Sequence, residues 1–204
     1  QNSISFLDDH IQTLWLVELY NIREYGYHNL NHIDELLQTL TEHQNAIRDD
    51  DPYKLNDYDL FALVLAIVFH DVIYVAGKND NENKSAQLAR QELDKAWVDE
   101  IQTQIVSDII EDSADHTPRF GDYEQGERRH YLGQIMFDLD FTPLGKNYIE
   151  FRNDGSRICN EYVARDNANK LTVVEFYKGR VQFLREMLNK ERIFNLDYFY
   201  NRFE

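Results

Sequence analysis

Apolar residues near the start of the chain recur at the spacing of one helical face. The first such stripe is formed by Leu7, Ile11, Leu14, Leu16, Leu19 and Tyr20. It predicts a helix over about 5–24, which Gly26 ends. A second stripe is formed by Ile33, Leu36, Leu37 and Leu40. Either Asn29 or Asn31 can cap this second helix.

The most apolar segment of the chain, residues 60–76, contains the pair His70-Asp71. Asn56 or Asp57 can cap the buried helix that leads to this pair. Further helices are predicted over 85–96, 98–111, 128–137, 146–165 and 172–190. The longest irregular segment covers 114–126, a length that is typical of a lid or binding loop. The aromatic tail over 194–203 is predicted to dock on the rest of the molecule.

The composition favours helices independently of this pattern. Eight glycines and three prolines in 204 residues are few for a β-sandwich with its many tight turns. We therefore expect an all-α protein, a single compact multi-helix bundle over 1–204. Its core is expected over about 25–145, and a helical extension over about 146–204.

The charge of the chain restricts its partners. The formal net charge is −16, so extended binding to nucleic acid is not expected, because each phosphate contact needs a local Lys or Arg. No membrane association is expected either, since His70-Asp71 interrupts the most apolar segment. The single Cys159 is compatible with a reducing cytoplasm, where we place the protein. A homo-oligomer is compatible with the sequence, which leaves the oligomeric state open.

Three pairs of histidine and aspartate residues point to a metal site. They are His28 and His32, His70 and Asp71, and Asp138 and Asp140. A buried carboxylate without a partner would cost several kcal/mol, so Asp71 is expected to be paired or metal-bound. His28 and His32 share one face if their helix begins early enough. Imidazoles and carboxylates from several helices are typical ligands of such centres.

In order and spacing, this set resembles the HD-domain superfamily of metal-dependent phosphohydrolases. The blocks that carry the resemblance are Tyr27-His28-Asn29-Leu30-Asn31-His32-Ile33, Phe69-His70-Asp71 with Asp80-Asn81-Glu82-Asn83-Lys84-Ser85-Ala86, Ile109 to His116, and Asp138-Leu139-Asp140 with Leu144-Gly145. The segment Arg157-Ile158-Cys159-Asn160-Glu161-Tyr162 is similar to the C-terminal part of a poorly characterised bacterial branch. Together the blocks cover about 25–200; they are specific for the superfamily but not for a substrate.

The resemblance implies an HD-type bundle that holds a divalent metal ion, namely Mn, Mg, Ni, Co or Fe. Its ligands would be His32, His70, Asp71 and Asp140, and Asp138 remains the alternative to Asp140. The implied activity is that of a phosphomonoesterase or phosphodiesterase, which hydrolyses a small phosphorylated metabolite or nucleotide through a metal-activated water.

Three residues are candidates for catalysis. By resemblance His28 would be the general acid, and Asp71 would orient the attacking water with its second oxygen. Glu82 is either an acid–base residue near the site or a carboxylate that suits the N-terminus of a helix.

The candidates for binding the substrate phosphate are basic residues and one histidine. They are Lys84, His116 and Arg157, with Arg128 and Arg129 as further cations. Ser113-Ala114 stands where a Thr-Lys pair is usual in the branch, which weakens the expectation of phosphate binding beside His116.

Two other functions are compatible with the same residues. One is an HD-fold di-iron oxygenase, in which His116 would help to hold a second metal ion. The other is a regulatory protein that binds a nucleotide or metal without turnover. Two further histidines, His10 and His43, fall on polar faces, and we expect them to be exposed.

Overall fold

The computed structural model describes residues 13–23, 26–114, 124–164, 167 and 170–204, with side chains from residue 16 in the first helix and from residue 128 in the sixth. Every regular element in these ranges is helical, which confirms the all-α prediction. The helices are α1 (Thr13–Asn21), α2 (Leu30–Ala46), α3 (Asp57–Phe69), α4 (Asn81–Lys95), α5 (Glu100–Ser113), α6 (Glu124–Phe141), a 3₁₀ turn (Thr142–Gly145), α7 (Tyr148–Val163), α8 (Val173–Leu188) and α9 (Asp197–Phe203).

Helix α3 is the central element, and it packs against α2, α4, α5 and α6. Asn56 caps it, since its side-chain oxygen accepts the N–H of Asp59 at 2.9 Å. Beyond the first turn its sequence is almost continuously apolar, as expected for a helix with neighbours on all sides. Even so, no helix in the described ranges has the length and hydropathy that crossing a membrane requires. The pair His70-Asp71 follows α3 directly and is therefore buried.

The loop after α3 is held by two polar side chains of α4. Ser85 Oγ accepts the N–H of Ile73 at 3.1 Å and lies 3.2 Å from the Ile73 carbonyl oxygen, to which it donates. The Asn81 amide bonds both the N–H and the carbonyl of Val75, at 3.0 and 3.1 Å. Both side chains are buried. The loop that begins with Asp71 is thus fixed by groups that satisfy its backbone.

Three helix boundaries differ clearly from the sequence prediction. Helix α4 begins at Asn81 rather than near residue 85, so the turn-rich segment over 77–83 is shorter than expected. Helix α6 begins at Glu124 rather than near residue 128, so the last residues of the predicted irregular segment 114–126 are helical. The same helix continues through Phe141, and Asp138 and Asp140 therefore lie in its last turn. The first breaker after them is Pro143, in the 3₁₀ turn.

The C-terminal tail docks on the bundle, as predicted. Phe194 and Phe199 are buried in the same apolar core as α3. The prediction that His43 is exposed is wrong, because only 2% of this residue is accessible to solvent. The centroid of its ring lies 4.9 Å from that of Tyr198 and 5.0 Å from that of Phe199. The face of α2 that carries His43 looked polar because the sequence pattern does not reveal that α9 covers it. His10 lies outside the described residues.

Candidate metal centre

Four side chains from three helices converge at one point, and we call them the His–Asp cluster. They are His32 in the first turn of α2, His70 and Asp71 at the end of α3, and Asp140 in the last turn of α6. His70 Nε2 lies 2.9 Å from Asp71 Oδ2, and His32 Nε2 lies 3.2 Å from Asp140 Oδ1. The remaining nitrogen–oxygen distances, His32 to Asp71 and His70 to Asp140, are both 3.8 Å.

The donor atoms of the cluster fit a metal ion. His70 Nδ1 donates to the Ile67 carbonyl oxygen at 2.8 Å, which places the proton on Nδ1 and leaves Nε2 to face the carboxylates. The Nε2 atoms of His32 and His70 are buried, and although they lie close to the Asp71 and Asp140 carboxylates, they form no hydrogen bond of acceptable geometry. Buried ring nitrogens are rarely left without a partner. The group His32, His70 and Asp71 can hold a metal ion, because one ligand atom from each lies within 4.8 Å of the others.

The electrostatics of the cluster favour positive charge at its centre. Burial alone would raise the pKa of Asp71, but the neighbouring His70 outweighs it and holds the pKa well below its usual range. The pKa of Asp140 is lowered in the same way, against burial, by His32 and His70. Burial by itself would lower the pKa of His70, but the carboxylates of Asp71 and Asp140 outweigh burial, and the pKa is raised well above its usual value. Two ionised carboxylates thus face two imidazoles in a buried site, an arrangement that a divalent cation would neutralise.

Local structure fixes the direction of each donor. The Asn29 side-chain oxygen caps α2 by accepting the N–H of Asn31 at 2.9 Å and that of His32 at 3.4 Å. Arg23 Nη1 donates to the carbonyl oxygen of Asp71 at 2.7 Å, which holds the backbone at that residue. The imidazole of His32 and the carboxylate of Asp71 therefore project from backbone that is itself hydrogen-bonded.

Asp138, the alternative to Asp140, faces away from the cluster. Its Oδ1 accepts the backbone N–H of Asn195 at 2.7 Å, and its Oδ2 accepts that of Leu196 at 2.8 Å. Burial raises the pKa of Asp138 to about 6, although these donors act in the opposite direction. The geometry thus brings Asp140 to the histidines and gives Asp138 a role in docking the C-terminal segment.

His28 lies beside the cluster, with its ring centroid 6.0 Å from that of His32. Its ring stacks on Tyr74 at 3.8 Å. Its Nδ1 lies 2.8 Å from Glu161 Oε2, and Glu161 Oε1 accepts the N–H groups of Tyr27 and His28 at 2.8 and 2.9 Å. Burial lowers the pKa of His28, but Asp71 and Glu161 raise it above the usual value. The imidazole is therefore favoured in its protonated form, with its Nδ1 proton held by Glu161.

Sequence reasoning assigned no role to Glu161 or Tyr74, although both touch His28. Glu161 lies within the C-terminal block that carried the family resemblance, which was a usable signal. At Gly26, a Cβ atom would overlap the Glu161 carboxylate, so a residue without a side chain is needed for this approach.

The other candidate site residues are not joined to the cluster by any contact within the described ranges. Lys84 pairs with Asp80 at 2.7 Å on the surface, and Arg157 is exposed, 3.9 Å from Asp154. Glu82 lies in the first turn of α4 and is partly buried. The further cations have partners of their own: Arg128 pairs with Asp59 and Arg129 with Asp108.

His116 lies outside the described residues, as does most of the irregular segment over 114–126. Its phosphate-binding role and the di-iron alternative that depends on it therefore stay predictions.

Comparison with known proteins gives one match. The model of a family described as HD-CE matches residues 18–180, which include all four members of the cluster, His28 and Glu161. No curated protein and no solved structure matches the chain.

Proposed function

Because the chain belongs to the HD-CE family, we propose that it is a metal-dependent phosphohydrolase acting on a small phosphate ester. The observation that carries the proposal is the His–Asp cluster, in which two buried Nε2 atoms without hydrogen-bond partners face two carboxylates. A divalent ion of the Mn, Mg, Ni, Co or Fe group would be held there by His32, His70, Asp71 and Asp140.

When bound at such a site, a divalent ion lowers the pKa of water towards neutrality and polarises a phosphoryl oxygen. The chain's own residues supply orientation and a proton. Asp71 presents Oδ2 to the imidazoles, and we assign its other oxygen to orienting the water that attacks phosphorus.

His28 is assigned the role of general acid. Its raised pKa keeps a proton available, and its Nδ1 is engaged by Glu161, so the proton to be transferred is the one on Nε2. Donation to the leaving oxygen by such a group contributes about 10²–10⁴ in rate. Glu161 is a positioning residue, since it acts through His28.

The substrate is proposed to be a small phosphorylated metabolite or nucleotide. With a net charge of −16 the chain repels anions at long range, so the phosphate needs a cation close to the cluster. The proposed activity covers phosphate monoesters and diesters. A cytoplasmic location is part of the same proposal and rests on the single Cys159.

The proposal is tested by Mn²⁺ titration of the wild type, Asp71→Asn and Asp59→Asn, followed by an assay of phosphate monoesters and diesters. Asp59 is a matched control, because it is also a buried aspartate but pairs with Arg128. We expect wild type and Asp59→Asn to bind Mn²⁺ tightly and to hydrolyse the same substrates. Asp71→Asn is expected to lose both properties. Equal and weak Mn²⁺ binding by all three proteins would contradict the proposal.

A further inference from the structure

One arginine differs from the other partly buried cations among the described residues. The others all have oxygen partners: Arg23, Lys54, Arg90, Arg128, Arg129, Lys146 and Arg192. Arg180 of α8 is also partly buried but makes no hydrogen bond or ion pair in this part of the chain. Its guanidinium carbon lies 5.8 Å from the Phe151 ring centroid and 5.2 Å from that of Phe183.

A partly buried charge without an oxygen partner is unfavourable, and the two aromatic contacts compensate for only part of this cost. Burial lowers the pKa of Arg180, but a guanidinium is so basic that it keeps its charge at neutral pH. The chain contains 37 acidic residues, so a partner would have been easy to provide. An anion that does not belong to the chain would satisfy Arg180.

A second unpartnered donor is the hydroxyl of Tyr27. This atom is buried without a hydrogen-bond partner, and the residue as a whole is 7% exposed. The Tyr27 ring packs against that of His32 at 4.7 Å. Burial, and after it the carboxylate of Asp140, hold the pKa of the Tyr27 phenol well above its usual range. The hydroxyl therefore keeps its proton and is available as a donor.

Both donors lie on the side of the cluster that carries Asp140. Phe183, which Arg180 covers, packs against Phe141 with ring centroids 6.4 Å apart, and Phe141 follows Asp140 in the chain. The Tyr27 phenol is also close enough to Arg180 to influence the pKa of the guanidinium. Asp140 is also the most exposed of the four ligand candidates, with 28% of its side chain accessible. Asp140 is therefore the member of the cluster that a ligand on this side can contact.

The acidic group that acts on the charge of Arg180 already has a partner of its own. Asp154 also acts on the charge of Arg180, but its carboxylate is paired with Lys146 at 2.9 Å. Lys146 in turn bonds Glu35 at 2.5 Å, so both oxygen partners of this cation belong to the chain. Among the described residues on this side of the cluster, Arg180 and the Tyr27 hydroxyl are donors without an oxygen partner.

We propose that the Tyr27 hydroxyl and the Arg180 guanidinium form an anion subsite that binds the non-bridging phosphoryl oxygens of the substrate. The subsite rests on the proposed function, since the phosphate must also meet a metal ion held by the cluster. A neutral hydroxyl and a cationic guanidinium are both suited to a phosphoryl group, and neither repels it.

The test is the affinity of Mn²⁺-loaded protein for inorganic phosphate, measured by calorimetry. The variants are Tyr27→Phe, which removes only the hydroxyl, and Arg180→Gln, with Arg180→Lys as a second variant if Arg180→Gln does not fold. Arg185→Gln is the matched control, because Arg185 lies on the same helix and is exposed. Mn²⁺ affinity is measured separately for every protein.

We expect Tyr27→Phe and Arg180→Gln each to weaken phosphate binding about 10- to 100-fold, the range for hydrogen bonds to a charged group. Mn²⁺ affinity should stay within about twofold of wild type, and Arg185→Gln should bind phosphate like wild type. The subsite is refuted if the wild type binds Mn²⁺ but no phosphate, if both variants bind phosphate normally, or if Arg185→Gln weakens it equally. A wild type that binds no Mn²⁺ would refute the proposed function, and the subsite with it.

Discussion

Asp138 and Asp140 are two residues apart on α6, and their side chains therefore point in different directions. Asp140 faces His32, while Asp138 accepts the N–H groups of Asn195 and Leu196. One carboxylate is thus available to a metal ion, and the other fixes the C-terminal segment.

Substituting these two aspartates separates the two roles. Asp140→Asn is expected to weaken Mn²⁺ binding at least about 100-fold. Removing a group that only hydrogen-bonds to a metal ligand lowers metal affinity about 10- to 100-fold, and removing a ligand should cost more. Asp138→Asn should leave Mn²⁺ affinity unchanged and lower the free energy of unfolding by about 1–3 kcal/mol, because Asn offers one acceptor oxygen where Asp138 uses two, so one of the two backbone N–H groups loses its partner. Calorimetry and urea unfolding measure the two quantities. Similar losses of Mn²⁺ affinity in both variants would contradict this assignment.

Substituting Glu161 should impair the transfer of a proton from His28 to the leaving alcohol. Glu161→Gln keeps an acceptor for the N–H groups of Tyr27 and His28 but no longer stabilises the protonated His28. The hydrolysis rate of alkyl phosphates should fall about 10²-fold or more, as expected when general acid catalysis is impaired.

A nitrophenyl phosphate provides the control, because its leaving group departs without a proton. Its hydrolysis by Glu161→Gln should be close to the wild-type rate. An equal loss with both substrates would mean that Glu161 has only a structural role.

At the level of single residues, sequence resemblance identified the cluster and His28 but not the side chains that contact His28. It selected His32, His70, Asp71 and Asp140, which the structure brings together. The contacts of Glu161 with His28 and of Arg180 with its aromatic neighbours arise only when α7 and α8 pack. No spacing in the sequence encodes them.

At the level of elements, the first turn of α2 carries a ligand candidate and depends on its cap. Asn29 accepts the N–H of His32 and also donates to the Gly26 carbonyl oxygen at 2.9 Å. The cap therefore joins the start of α2 to the segment that precedes His28.

Removing this cap should affect both stability and metal binding. Asn29→Ala is expected to lower the free energy of unfolding by about 1 kcal/mol, the usual value of a helix cap. It should also weaken Mn²⁺ binding several-fold, because the His32 backbone loses an anchor. Asn56→Ala is the matched control: it removes the cap of α3 at the end of that helix far from His70, so it should reduce stability alone. Unchanged Mn²⁺ affinity in Asn29→Ala would show that the cap does not position His32.

Helical periodicity predicted where α1 to α8 lie but not all of their ends, and it did not predict α9. Asn56 is one of the two caps expected for α3, and the docking of the tail was anticipated correctly. The start of α4 was placed too late, because the Asn- and Asp-rich segment before Ser85 has the composition of a turn. In the structure Asn81 instead uses its side chain to bond the preceding loop while its backbone begins the helix.

At the level of the whole molecule, α9 closes the bundle over His43 and makes its stability sensitive to acid. Burial, and after it Lys54, lower the pKa of His43 to about 4. Above pH about 6.5 the side chain is neutral in both the folded and the unfolded chain. Between about 6.5 and 4 only the unfolded chain binds the proton, so the free energy of unfolding falls as the pH falls.

Through His43, the free energy of unfolding is expected to fall by about 3 kcal/mol at most between neutral pH and pH 4. His43→Leu should remove this part of the pH dependence. Urea unfolding at pH 7 and pH 4.5 measures it, and the difference between wild type and variant isolates His43 from the other histidines. Identical pH profiles for the two proteins would contradict the prediction.

The bond between Glu161 and His28 joins positions 133 residues apart, and this has a consequence for the order in which the chain is made. A ribosome completes all four ligand candidates of the His–Asp cluster by residue 140. Glu161 follows about 1–4 s later at usual elongation rates, and Arg180 later still. The four ligand candidates are thus complete in the nascent chain before the residue that holds Nδ1 of His28 is added. Under the proposed function, the groups assigned to metal binding are synthesised before those assigned to orienting the general acid and to binding a phosphate.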